Sequence, residues 1–138
     1  YTKLYAESIV NKLGNNPLIL RCPAMLGKYM RINNVYKLIK NPNSKLSLTE
    51  DSNFNYVLHS DILEFILFCY KENISDIIDF TSSSNITLKE IENILRAKAN
   101  FGNYKFITPL IENKKLINYN PKFNKTSKQV FNQFLKQI

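Results

Sequence analysis

The opening segment constrains the fold more than any other part of the chain. Residues 2–13 place Ala6, Ile9, Val10 and Leu13 at helical spacing, with Lys3, Glu7 and Lys12 off that stripe, and Gly14 followed by Pro17 ends the run. This spacing predicts an amphipathic helix. Residues 18–22, Leu-Ile-Leu-Arg-Cys, then form a short apolar run without alternation between Pro17 and Pro23, which fits a strand buried on both faces of a parallel sheet. A helix feeding such a strand is half of an α/β unit, so the fold class expected is α/β.

Downstream, residues 32–40 carry Val35, Leu38 and Ile39 at helical spacing and stop before Pro42, predicting a second helix. Residues 45–49 alternate Leu46 and Leu48 with polar residues, and residues 54–58 are aromatic and β-branched. Two strands are therefore expected around the turn-rich Glu50-Asp51-Ser52-Asn53, both near a solvent edge. Ser60 or Asp61 is the expected cap of a helix reaching Asn73, and its apolar run over residues 62–70, broken only by Glu64, predicts cover on more than one side. Residues 77–81 read as the next short apolar strand. Thr87-Leu88-Lys89-Glu90 is a capping box, in which the Thr87 hydroxyl and Glu90 carboxylate satisfy free backbone donors of a helix bearing Ile91, Ile94 and Leu95. Residues 104–108 predict a strand before Pro109, and Thr126-x-x-Gln129 is placed to cap a terminal helix bearing Val130, Phe131, Phe134 and Leu135.

The 138 residues, 44% of them hydrophobic, suit one packed core. A formal charge of +8 raises the question of a nucleic-acid partner, but lysines outnumber arginines 16 to 3 and residues 51–100 carry 8 acidic against 4 basic groups. The basic residues are spaced among Asn as solvated surface residues are, so no nucleic-acid partner is expected. The longest apolar run falls far short of the roughly 20 residues that cross a bilayer, so no membrane partner is expected either. Cys22 and Cys69 sit in apolar stretches without a Cys or His at ligand spacing, which predicts buried free thiols in a reducing, cytoplasmic setting. Because the sequence opens on Tyr1, it is expected to be a piece of a longer protein.

Catalytic signals are sparse: one histidine, His59, and no Gly-rich phosphate loop, metal-spaced cluster or Gly-x-Ser-x-Gly elbow. His59 lies between a strand and a helix with no acid/base partner nearby in sequence, so a hydrogen-bonded structural role is expected. From these signals alone the reading stops at an α/β domain.

The order of particular residues goes further. Tyr1-Thr2-Lys3-Leu4-Tyr5-Ala6-Glu7, then Leu18-Ile19-Leu20-Arg21-Cys22-Pro23-Ala24-Met25-Leu26-Gly27, then Phe54-Asn55-Tyr56-Val57-Leu58-His59-Ser60-Asp61-Ile62, and finally residues 77–81 with Ser82, Ser83, Ser84 and the Thr87 capping box follow one another in sequence. In that order they resemble the C-terminal half of the extended short-chain dehydrogenase/reductases, the NAD(P)-dependent epimerase/dehydratase family. The four stretches look like the family's active-site helix, its Leu-Arg-x-Pro-x-x-x-Gly segment beside the nicotinamide, its aromatic strand before an Asp-capped helix, and the strand, small-residue loop and helix that follow.

The resemblance implies a single partial domain over residues 1–138. Residues 1–27 would end a Rossmann-like, doubly wound core, and residues 28–138 would mostly bind substrate while returning elements to that core; the cofactor-binding half would precede them. It implies NAD or NADP as cofactor in the complete protein, a nucleotide sugar as substrate, and a homodimer contact through the first helix. Lys3 would be the catalytic lysine, bonded to the nicotinamide ribose and lowering the pKa of a tyrosine four residues earlier, which lies before Tyr1. The chain alone is therefore expected to be inactive. Pro23 and Ala24 would approach the nicotinamide, and Lys28, Arg31 and Asn33 would meet the substrate. One departure stands out: where nucleotide-sugar members carry Arg, seven residues ahead of the capping Asp, this sequence has Phe54. A non-catalytic binding module on the same fold is the alternative.

Overall fold

Helix α1, Thr2–Leu13, forms over the residues its spacing predicts and leads to strand β1, Ile19–Arg21. The computed structural model describes residues 1–14 and 17–138. Pro23 interrupts the extended chain, and a strand not anticipated from the sequence, β2 (Ala24–Leu26), follows it. Helix α2, Asn34–Lys40, begins two residues later than expected because the Asn33 side chain accepts the Tyr36 N–H and caps it. After β3 (Asn53–Phe54), β4 (Tyr56–Leu58) and α3 (His59–Lys71) come β5 (Ile77–Asp79), β6 (Ile86–Thr87), α4 (Leu88–Leu95), α5 (Lys114–Tyr119) and α6 (Ser127–Leu135). Two parallel pairs, β1 with β5 and β2 with β4, stand beside one antiparallel pair, β3 with β6. The α/β class is thus the one expected.

Strand β4 is the wall between two cores. Side chains alternate across a strand, so Tyr56 and Leu58 enter one core with Leu26, Ile91, Phe131 and Phe134, while Val57 enters the other with Phe65, Cys69, Ile78 and Phe80. All three residues of β4 are buried, which corrects the expected solvent edge. The reason is lateral cover: β2 pairs along one side, α6 packs across it, and the Ser127 hydroxyl accepts the Tyr56 N–H at 3.0 Å while the Ser82 hydroxyl donates to the Tyr56 carbonyl at 2.6 Å. These bonds leave the buried main chain satisfied where no strand reaches it.

Other expectations are corrected by side-chain chemistry. The strand over residues 54–58 is broken at Asn55, whose buried amide donates to the Ser82 carbonyl and Asn85 and accepts the Ser82 N–H. Residues 45–49 and 104–108 form no strands; single bridges join Lys45 to Asn100, Leu48 to Tyr104 and Asn53 to Ile107. Helix α3 starts at His59 with no side-chain cap, because Asp61 is buried in its first turn and pairs with Lys125 at 2.7 Å instead. Nor is α3 covered all round: Phe65 and Cys69 are buried, but Leu63, Leu67 and Tyr70 face solvent. Both capping boxes, Thr87 with Glu90 and Thr126 with Gln129, form as their spacing predicts. Helix α5 escaped the sequence reading; it is one and a half turns long and buries only Leu116. Both cysteines are free, Cys69 buried and Cys22 half-buried. Among the described residues, no helix is long and apolar enough to cross a membrane.

Candidate active-site cleft

What fixes Lys3 in place is the partnership of α1 with β1. The Arg21 guanidinium donates to both carboxylate oxygens of Glu7, at 3.2 Å from Nε and 2.5 Å from the terminal nitrogen. This fork-to-fork pair sets orientation more than stability, because it is exposed. It holds the Glu7 carboxyl below its ordinary range, chiefly through the hydrogen bond itself. Leu18, Leu20 and Cys22 turn the other way, onto the core under α3, so alternate side chains of β1 serve opposite faces. Helix α1 therefore lies on one side of β1 with its first turn near Cys22. Burial pushes the Cys22 thiol up to about 11 while the Lys3 charge opposes the rise, so Cys22 is a protonated, unreactive thiol.

Lys3 lines two depressions. One is a groove of about 570 Å³ between α1 and β1, walled by Ala6, Val10 and residues 18–22. The other is an open cleft of about 500 Å³ at the carboxyl ends of β1 and β2, where Lys3, Pro23, Ala24, Arg31, Asn33 and His59 meet. Ligands of open α/β sheets gather at such strand ends. Three of these side chains are basic and, among the described residues, no Asp or Glu lines the cleft.

Five of the six candidate site residues thus share one cleft. Lys28 does not: it lies outside, with its ammonium 5.5 Å from the centre of the Tyr29 ring, beside a separate pocket that Phe134 backs. Asn33 is in the cleft, but its Oδ1 already serves as the cap of α2. Phe54 stacks on Phe106 and Tyr56, with ring centres 5.2 and 5.7 Å apart, so the position takes part in an aromatic stack. Tyr56 is buried, which pushes its phenol well above the ordinary value and removes it as a proton donor or acceptor at neutral pH.

His59 is the functional candidate that sequence reasoning missed. It is exposed in the cleft rather than bonded into the structure, and its ring makes no hydrogen bond to a described residue. The register that pairs Leu26 with Leu58 carries on to bring Gly27 beside His59. A Cβ on Gly27 would stand 2.8 Å from the imidazole Cγ and nearer still to Nδ1. A glycine at the end of one strand and the chain's one histidine at the end of another were the signal, but only their pairing makes it legible.

In sequence, no family model and no curated protein matches the chain. In structure it is similar to RMD from Pseudomonas aeruginosa complexed with NADPH, with a TM-score of 0.71 and 15% identity over 98% of this chain and 53% of that one. It is similar to the UDP-N-acetylglucosamine 4-epimerase from Methanobrevibacter ruminantium in complex with UDP-N-acetylmuramic acid, with a TM-score of 0.63 and 13% identity over 98% of this chain and 51% of that one. A third is the UDP-glucuronic acid 4-epimerase from Bacillus cereus in complex with UDP-glucuronic acid and NAD, with a TM-score of 0.65 and 11% identity over 99% and 50%. The chain spans about half the length of each of these structures. It shares with about half of each of these structures a Rossmann-like α/β fold, in agreement with the fold that the sequence resemblance implied.

Proposed function

We propose that this chain is the substrate-side half of an NAD(P)-dependent epimerase, dehydratase or reductase of the extended short-chain type, acting on a nucleotide-activated sugar. The observation that carries the reading is the meeting of Lys3 with Pro23 and Ala24 at the carboxyl end of β1, in one cleft with Arg31 and Asn33. Two features support a missing half. Helix α1 buries no residue, and β1 has a strand partner on one edge alone among the described residues. The exposed Leu4, Tyr5 and Leu13 of α1 are equally suited to a subunit contact.

The donor set fits the nicotinamide end of a dinucleotide: an ammonium that no acid in the cleft neutralises, next to main-chain groups at the end of a parallel strand. A bound NAD or NADP supplies the hydride donor or acceptor. Lys3 would bind ribose hydroxyls and, by its charge, favour the phenolate of a tyrosine supplied from outside this sequence. Arg31 presents a planar fork suited to paired phosphate oxygens. Met25 and Met30 add apolar lining to the cleft.

In a longer protein that carries the dinucleotide-binding half, Lys3→Met is expected to lower kcat by about 100-fold or more. Nicotinamide absorbance during turnover measures this, and unchanged turnover contradicts the reading. The aromatic stack at Phe54 favours a second reading, a binding module without catalysis, because it leaves that position without a phosphate partner. On that reading the same longer protein binds a ligand in this cleft but transfers no hydride.

A further inference from the structure

We propose that the pocket between α2 and α6 is a second binding site, for a small amphiphilic anion made of one ring or short chain with a single carboxylate. It stands apart from the cleft and does not depend on the substrate-side reading. Met30, Ile39, Phe134 and the ring of Tyr36 wall a cavity of about 190 Å³, and Lys28 and Lys40 are its charged residues. None of its lining residues belongs to α1 or β1, so it is not part of the open side of the molecule. Met30 lines both this pocket and the cleft, which makes the loop bearing Arg31 the wall between them.

Size sets the apolar part of the ligand. A cavity of about 150 Å³ with Leu, Ile and Phe walls takes one benzene ring, so this one has room for a ring with a small substituent. Phe134 is buried, and Met30 and Ile39 pack against the same core, so these walls are held by packing. Charge sets the head group. No Asp or Glu lines the pocket among the described residues, and the sequence has none between Glu7 and Glu50. The salt bridges among the described residues engage other cations and neither Lys28 nor Lys40. Their ammonium groups stand near aromatic rings instead, 5.5 Å from the centre of Tyr29 for Lys28 and 5.9 Å from that of Tyr36 for Lys40. Such contacts leave N–H donors for a carboxylate at the rim. An apolar wall with a few polar groups is how proteins hold small molecules.

The chain's two methionines tell the sites apart: both line the cleft, and only Met30 lines the pocket. Benzoate is the probe, titrated into the 138-residue chain while the methyl signals of Met25, Met30 and Ile39 are followed in a proton–carbon correlation spectrum. Benzyl alcohol is its uncharged counterpart and acetate its head group alone. The expected result is saturable movement of Met30 and Ile39 with benzoate, affinity about fivefold lower for benzyl alcohol, and no saturable movement with acetate. Replacing both exposed lysines, Lys28→Gln with Lys40→Gln, should bring benzoate down to the benzyl alcohol level while the Val57 and Ile78 methyl signals of the other core stay in place. No saturable movement of Ile39, equal affinity for benzoate and benzyl alcohol, or the same response to acetate would each overturn the proposal. Movement of Met25 and Met30 without Ile39 would put the benzoate in the cleft and overturn it too, as would undiminished binding in the double variant. None of these outcomes alters the Lys3 turnover test, so the two readings fail separately.

Discussion

The two ends of the molecule are finished to different degrees. Around β4 and α6 the chain is closed: Tyr56, Leu58, Phe131 and Phe134 are buried, and the polar groups among them are bonded. Around α1 and β1 it is open: Leu4 is 66% exposed and Leu13 82%, and the main anchor of the helix is one ion pair, Arg21 with Glu7. Both regions have the amphipathic patterning of buried elements, so local sequence does not distinguish them. What distinguishes them is whether a partner surface exists within the chain. The open side is also the side that carries Lys3, so the unfinished face and the candidate chemistry coincide.

Substitutions at the two ends should therefore behave differently. Phe131→Ala, in the closed core, is expected to destabilise the chain by about 4 kcal/mol through lost burial and the cavity left behind, measured by denaturant unfolding. Lys125→Met should cost on the order of 3 kcal/mol in the same measurement, because it leaves the buried Asp61 carboxylate without its cation. Leu13→Ser, in an equally apolar-patterned segment, should change stability by no more than about 0.5 kcal/mol. A loss of several kcal/mol at Leu13 would erase the contrast, since it would mean that α1 packs in solution against something within the chain.

The parts legible in the sequence are those fixed by local chemistry. The helix over residues 2–13 and both capping boxes depend on spacing within a few residues and appear as expected. The break at Asn55, the burial of β4 and the pairing of Asp61 with Lys125 depend on partners 27 to 71 residues away, which no local pattern encodes. The alternation of β1 between α1 and the α3 core was hidden because both faces are apolar but for Arg21. In the cleft, Lys3, Pro23, Ala24, Arg31 and Asn33 came from the order of residues along the chain. Lys28, read together with them in the sequence, lies outside this cleft, because proximity in sequence to Arg31 does not fix which way a side chain leaves a loop. His59 was set aside for want of a sequence neighbour, whereas its neighbours are supplied by the parallel register of β2 and β4.

Amide hydrogen exchange reads the contrast most directly, comparing α1 and β1 in this chain alone with the same segments in a longer protein that carries the dinucleotide-binding half. The expected result is fast exchange in α1 and on the free edge of β1 in the chain alone, protection of both in the longer protein, and equal protection of β4 and α6 in the two. Protection of α1 already matching that of α6 in the chain alone, or no gain in the longer protein, would contradict it.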